Sequence, residues 1–256
     1  MLTARLMPCL LMSNGALVKT VRFRELTYVG DPINAVRIFN QKEVDELILL
    51  DIHATSQQRG IDFDTLEKLV SECFMPICYG GGVRTIEDMR RLFALGIEKV
   101  SLGAAAFEVP GLVTAATEEF GSQAVVVTLD VKKGLLGSTT ARLRNGTLDT
   151  KKSPIDAARE FSAQGAGEIM LYSIDRDGTW SGFDLGMVRG VSLAVGVPVI
   201  ASGGAGSLAD LKSAVVDAGA SAVAIGSMAV FQGKGLGVLI KFPSRKEQDE
   251  AFGNPA

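Results

Sequence analysis

The chain has 256 residues, 47% of them hydrophobic, and a formal net charge of −3; that is the size of one eight-stranded parallel barrel with its helices, expected as a single domain over residues 1–256. With no basic stripe, nothing points to nucleic acid as a partner. No apolar run approaches the ~20 residues of a membrane span and Met1-Leu2-Thr3-Ala4-Arg5 lacks the apolar core of a signal peptide, so neither membrane nor export is expected.

Short apolar runs and helix-start signals alternate along the chain, the signature of βαβ units. The first strand is expected over 5–11, followed by a long loop carrying Lys19, and Asp31-Pro32 then opens a helix. Strands at 47–51 and 76–79 precede a helix opened by Thr85 with Asp88 three residues on, and a fourth strand covers 100–103. After a fifth at 124–130, Asn145-Gly146 between Ala141-Arg142-Leu143 and Leu148 reads as an inserted hairpin. Ser153-Pro154 starts the next helix, strands follow at 169–173 and 198–202, Ser207 with Asp210 starts another helix, and the eighth strand is 222–226. A tail from about Gly233 turns polar after Phe242 and is expected to fray at Gly253-Asn254-Pro255-Ala256. Cys9, Cys73 and Cys78 lie on apolar segments without ligand spacing and read as buried thiols of a cytoplasmic protein, with neither metal nor cofactor expected.

Gly60, Asp62, Pro76, Gly81 and Gly82 recur as Gly182, Asp184, Pro198, Gly203 and Gly204, each 122 positions later (60 to 182). A period near half the chain means two half-barrels, about 1–120 and 121–240, rather than a solenoid of short units. Chemistry in such a barrel sits at the carboxyl ends of the strands, and Gly-rich turns there expose N–H groups to phosphate. Gly80-Gly81-Gly82 with Gly103-Ala104 make one such place, and Ser202-Gly203-Gly204 with Gly226-Ser227 the other. Facing each other across the mouth, they suit a substrate with a phosphate at each end.

Several strings carry a resemblance over almost the whole chain: Gly30-Asp31-Pro32, Leu50-Asp51-Ile52, Phe120-Gly121-Ser122-Gln123-Ala124-Val125-Val126-Val127, Ser173-Ile174-Asp175-Arg176-Asp177-Gly178-Thr179 and Ala201-Ser202-Gly203-Gly204-Ala205-Gly206. In these the sequence resembles the cyclase subunit family of imidazole glycerol phosphate synthase (HisF). The resemblance implies a (β/α)8 barrel with a class I glutaminase docked on its floor. Ammonia then passes through the barrel to a substrate with two phosphates, which is closed and cleaved to imidazole glycerol phosphate and an aminoimidazole carboxamide ribotide.

Arg5, Glu46, Lys99 and Glu168 stand at or just before the starts of the first, second, fourth and sixth strands, where side chains turn into the barrel floor. Two cations and two anions make a neutral ring that can shut out water and still rearrange. In the resembling family the same four positions form the ammonia gate.

At the mouth the pattern departs from the family, which places an aspartate at the ends of strands one and five. Asp130 ends the fifth strand, but the first-strand counterpart is Leu11, an alignment pinned by Gly15 and Gly134, which share its 119-residue offset (11 to 130). Leucine transfers no proton, and losing a positioned acid or base forfeits about 10²–10⁴ in rate. Asp51, Asp177 and Lys19 remain as carboxylates and amine near the mouth, Asp177 to orient substrate and Lys19 to close over a phosphate. Leu102-Gly103-Ala104 stands where the family usually has Asn-Thr, so recognition at the first phosphate place is altered. His53, the only histidine, follows the second strand.

Pro8-Cys9-Leu10-Leu11, Tyr28-Val29-Gly30-Asp31-Pro32-Ile33-Asn34-Ala35, Cys73-Phe74-Met75-Pro76 and Lys241-Phe242-Pro243-Ser244 are most similar to the glycosyl amidation-associated (WbuZ-type) paralogues. That resemblance implies ammonia from a HisH-like class I glutaminase, a sugar amidotransferase as a further partner, and amidation or amidination of a sugar in surface-polysaccharide (LPS O-antigen) biosynthesis. The alternatives are a working cyclase in histidine biosynthesis with Asp51 or His53 as substitute base, and a non-catalytic ammonia conduit. Leu11 disfavours the related sugar isomerase of histidine biosynthesis (HisA), which needs both strand-end carboxylates.

Overall fold

A computed structural model describes residues 4–134 and 137–252. The first half contains β1 (Arg5–Ser13), β2 (Ala16–Val21), β3 (Arg24–Gly30), α1 (Pro32–Gln41), β4 (Leu47–Asp51), α2 (Phe63–Val70) and β5 (Ile77–Gly80). It continues with α3 (Ile86–Leu95), β6 (Lys99–Leu102), α4 (Ala104–Glu108) and α5 (Leu112–Phe120). The second half holds β7 (Val125–Lys133), β8 (Thr139–Leu143), β9 (Leu148–Asp149), α6 (Pro154–Ala163), β10 (Glu168–Ser173) and α7 (Leu185–Ser192). β11 (Val199–Ser202), α8 (Leu208–Lys212), β12 (Ala222–Ile225), α9 (Ser227–Val230) and α10 (Arg245–Phe252) complete it.

Eight strands, β1, β4, β5, β6, β7, β10, β11 and β12, pair in parallel in that order, and β12 returns to β1 through Arg5↔Ala222 to Pro8↔Ile225. The sheet closes into a (β/α)8 barrel, and all eight expected strands are present within three residues of their expected ends. Alternation of side chains along each strand creates two cores. One lies between barrel and helices, around Phe39, Leu66, Leu92 and Phe161. The other fills the barrel with Met7, Cys9, Leu11, Ile48, Cys78, Val126, Met170 and Tyr172.

The helices begin where their caps require. Asp31 and Ser153 accept the N–H groups of Asn34 and Asp156, while Thr85 and Ser207 each form a capping box with the aspartate three residues on. Each cap is worth about 1 kcal/mol. The 122-residue echo extends to these devices: Asp62 caps α2 as Asp184 caps α7, and Thr85 answers to Ser207. Gly81 and Gly203 are also used alike. Both have positive φ, and a Cβ would strike the carbonyl oxygen of Asp51 in one half and of Ser173 in the other.

The long first loop is corrected. β2 and β3 form an antiparallel hairpin continuing from β1, paired through Leu11↔Val18 and Leu17↔Gly30. Asn14 and Gly15, with φ of 50° and 76°, make its first turn, an Asn-Gly signal as plain as the Asn145-Gly146 turn between β8 and β9. β7 runs past Asp130 to Lys133 and pairs with β8, so the insertion after the fifth barrel strand is larger than expected. The tail is ordered into α10, which buries Gln248, Ala251 and Phe252 against the body, with Phe242 edge-on to Phe39. Residues Gly253 to Ala256, expected to fray, lie outside the described residues, as do the first three. Cys9 and Cys78 are buried, as expected, but Cys73 is only half-buried. No helix among the described residues is long and apolar enough to cross a membrane.

Candidate active site and barrel floor

The strand starts bring Arg5, Glu46, Lys99 and Glu168 into one closed ring. Arg5 donates to Glu46 Oε2 at 2.8 Å and to Glu168 Oε2 at 2.9 Å; Lys99 Nζ donates to Glu46 Oε2 and Glu168 Oε1, both at 2.8 Å. Each cation lies between the two anions and each anion between the two cations. Burial opposes the ionised form of Arg5, Lys99 and Glu168, yet their mutual hydrogen bonds outweigh it: the two cations have raised pKa values and Glu168 a lowered one. Farther along the same inward faces come Met7, Ile48, Cys78, Val126 and Met170, then the Ser101 Oγ and Thr128 Oγ1 pair at 2.5 Å. Burial pushes the Cys9 thiol up to about 12 and Cys78 well up as well, so both are protonated packing groups.

At the opposite end the strand termini enclose a cavity of about 440 Å³. Leu11, Asp130, His53, Gly81, Gly82, Gly103 and Ala104 all line it. Asp130 is half-buried, and among the described residues no donor is paired with its carboxylate. Desolvation, reinforced by the charge of Asp177, pushes its pKa up to about 7, where one group serves as either acid or base near neutrality.

Asp51 and Asp177, expected as available carboxylates, are both engaged. Asp51 Oδ1 accepts the N–H groups of His53 at 3.0 Å and Ala54 at 3.1 Å, while Arg59 holds both its oxygens at 3.1 and 2.8 Å. It thereby anchors the 51–59 turn. Asp177, 1% exposed, accepts from Thr20 Oγ1 at 2.5 Å, Tyr172 OH at 3.1 Å and Phe23 N–H at 3.3 Å. Lys19, expected on a free loop, is on β2 and 3% exposed, its Nζ 3.4 Å from Asp177 Oδ1 and 3.5 Å from Tyr172 OH. The hairpin is thus clamped to the sixth barrel strand.

The two glycine-rich places differ correspondingly. Gly81, Gly82, Gly103 and Ala104 face the open cavity, although the Gly82 N–H already donates to Thr55 Oγ1 at 3.2 Å. Ser202, Gly203, Gly204, Gly226 and Ser227 line a cleft of only about 10 Å³, shared with Lys19, Tyr172 and Asp177. Lys19 and Ser227 also line a larger cavity of about 780 Å³, so the two places are not equivalent: the first opens on the Asp130 cavity and the second lies beside the Lys19–Asp177 pair.

Sequence reasoning missed Ser13, whose Oγ is hydrogen-bonded to His53 Nδ1 at 2.8 Å, as well as Arg59 and Tyr172. No local signal marks Ser13, which acquires its role from a residue 40 positions on, or Tyr172, whose contact with Asp177 five residues away depends on how the turn after its strand folds back. Arg59, eight residues from Asp51 in one turn and opposite to it in charge, was within reach of sequence.

A family profile described as "Histidine biosynthesis protein" matches residues 5–235. A Pseudomonas aeruginosa protein, provisionally named imidazole glycerol phosphate synthase subunit hisF2, is 49% identical over 97% of this chain and 99% of its own. A Vibrio vulnificus protein, provisionally named subunit hisF3, is 46% identical over 98% and 97%. The imidazole glycerol phosphate synthase subunit HisF of Alkaliphilus metalliredigens is 42% identical over 89% and 90%.

Proposed function

The chain belongs to the HisF family of imidazole glycerol phosphate synthase subunits, and from that premise we propose that it is a cytoplasmic ammonia-accepting barrel, partnered by a class I glutaminase, that supports amidation or amidination of a sugar for surface-polysaccharide assembly. The observation that carries this reading is the contrast between the two ends of the barrel. At the floor the alternating ring of Arg5, Glu46, Lys99 and Glu168 is complete, whereas at the mouth Leu11 shares the cavity with Asp130. Such a protein retains the passage of ammonia while the two-carboxylate chemistry at the mouth is lost.

The floor also suits a protein partner. Phe74, which precedes β5, and Leu193, which precedes β11, are 87% and 84% exposed at the end of the barrel that carries the ring. Each offers an apolar contact to a partner seated on the floor. The glutaminase docks there and ammonia enters through Lys99 and its partners, which open by exchanging one ion pair for another. The open glycine place holds a phosphate of the substrate, and a sugar amidotransferase completes the nitrogen transfer.

The test uses the phosphoribulosyl-formimino carboxamide ribotide with saturating ammonium at high pH, which bypasses the glutaminase, and compares the protein with Leu11→Asp. The expected result is no turnover by the parent. Rescue by Leu11→Asp means that the ancestral substrate site survives; inactivity in both means a re-specialised barrel or a bare conduit. Turnover by the parent overturns the amidation reading and restores the cyclase.

A further inference from the structure

We infer that His53, held by Ser13, is the second proton-transfer group of the mouth cavity, opposite in role to Asp130, and replaces the first-strand carboxylate absent at Leu11. The inference rests on the reading that nitrogen chemistry takes place in this cavity. Ser13 ends β1 two residues beyond Leu11, is buried, and holds His53 Nδ1 at 2.8 Å. The His53 main chain is fixed as well, since its N–H donates to Asp51 Oδ1 and Asp51 is gripped by Arg59. With Nδ1 occupied, Nε2 is the ring nitrogen without a partner among the described residues, and the side chain lines the same cavity as Asp130. A histidine pinned on one nitrogen and free on the other is the arrangement a general acid requires. Ser13 acts as its positioning residue.

In the step this serves, ammonia adds to an electrophilic carbon of a C=O or C=N group. The nitrogen lone pair forms the new C–N bond and the π pair moves to the oxygen or nitrogen of the acceptor. Asp130 carboxylate takes the surplus proton from the attacking nitrogen, and His53 in its protonated form gives one to the acceptor atom. Solvent then returns both groups to their starting states.

His53 is the only histidine, so its ring tautomer can be followed without assignment ambiguity by nitrogen-15 NMR of histidine-labelled protein. The charged groups around it are Asp51 and Arg59 in its own turn, Arg24 and Glu25 on the hairpin, Arg144 on the β8–β9 turn and Asp130 on β7. Asp130→Asn removes a negative charge that lines the same cavity and should change the rate at which diethyl pyrocarbonate acylates His53. Ser13→Ala should alter the tautomer balance of the neutral ring, a signature that loss of packing alone does not produce. Acylation by diethyl pyrocarbonate should modify His53, reporting that its ring opens to the cavity. An acylation rate unmoved by Asp130→Asn, or an unreactive ring, overturns the pair whatever the turnover. Coupling that persists while the parent proves to be a cyclase sinks the amidation reading and leaves the pair standing.

Discussion

Lys19 Nζ lies 3.4 Å from Asp177 Oδ1, and both side chains are almost completely excluded from solvent. This contact joins the β2–β3 hairpin to the end of β10. Removing one member leaves the other charge buried without its partner, which costs about 3 kcal/mol or more. Asp177→Ala is the harsher change because it strands a cation, whereas after Lys19→Met the carboxylate still accepts from Thr20, Phe23 and Tyr172. Urea titrations of the two single variants and the double should show the double variant losing less than the sum. Simple additivity would mean that the pair does not clamp the hairpin.

The floor ring makes Glu168 sensitive to acid. Burial opposes its ionisation, but hydrogen bonds from Arg5 and Lys99 outweigh that and hold its pKa below the usual glutamate value. A carboxylate depressed in this way contributes its full stability above the unfolded-state value of ~4.3 and loses it as pH falls through the lower folded value. Glu168→Gln should therefore be less stable than the parent at pH 7, with the gap closing below about pH 4. A gap that does not change with pH would assign Glu168 a role of shape alone.

Lys99→Leu leaves Glu46 and Glu168 sharing Arg5 as their only remaining ring cation. In a complex with the glutaminase, the variant should lose coupling between glutamine hydrolysis and nitrogen transfer while free ammonia remains usable. Equal loss of glutamine-driven and ammonia-driven transfer would make the ring a static lid.

Asp130 has the opposite pH signature to Glu168. Its folded pKa of about 7 stands above the unfolded value, so ionising it works against the fold: stability falls as pH rises from about 4 to 7 and is level above that. Replacement by asparagine should remove this slope and raise stability at pH 8, by up to about 4 kcal/mol if the whole shift is expressed. Melting temperatures at pH 4.5 and pH 8 suffice, and an Asp130→Asn protein no more stable at pH 8 would show that the carboxylate has a partner in solution.

Gly81→Ala and Gly203→Ala both force a Cβ onto a neighbouring strand's carbonyl at positive φ, that of Gly203 only 2.6 Å from Ser173 O. Each should cost about 2 kcal/mol or more. Gly15→Ala shares the positive φ but meets open space, so about 1 kcal/mol is expected. Equal costs at all three sites would mean that backbone strain, not crowding, governs the repeated glycines.

Much of this was legible because it is written locally or written twice. Barrel strands show as short apolar runs between capped helices, and duplication aligned Leu11 with Asp130 and Gly81 with Gly203 before any coordinates. The floor ring was legible for a similar reason: Arg5, Glu46, Lys99 and Glu168 are charged residues at or just before the starts of otherwise apolar strands. The Asn14-Gly15 turn was equally legible, but β3 is exposed along most of its length and lacks the apolar alternation that identifies a strand.

What the amino-acid sequence by itself determined is therefore the barrel, the repeated glycines and caps of its two echoing segments, the residues presented at floor and mouth, and a leucine at the position that answers to Asp130. Only the tertiary structure decided which mouth groups are free. Lys19 and Asp177 are 158 residues apart, Ser13 and His53 are 40 apart, and closure of the barrel sets them side by side. The first pairing clamps the hairpin and commits Asp177, the second holds the histidine ring, and among the described residues Asp130 is left without a partner. No local pattern encodes those outcomes, because a charge or hydrogen bond is satisfied by whichever group the fold brings within about 3 Å.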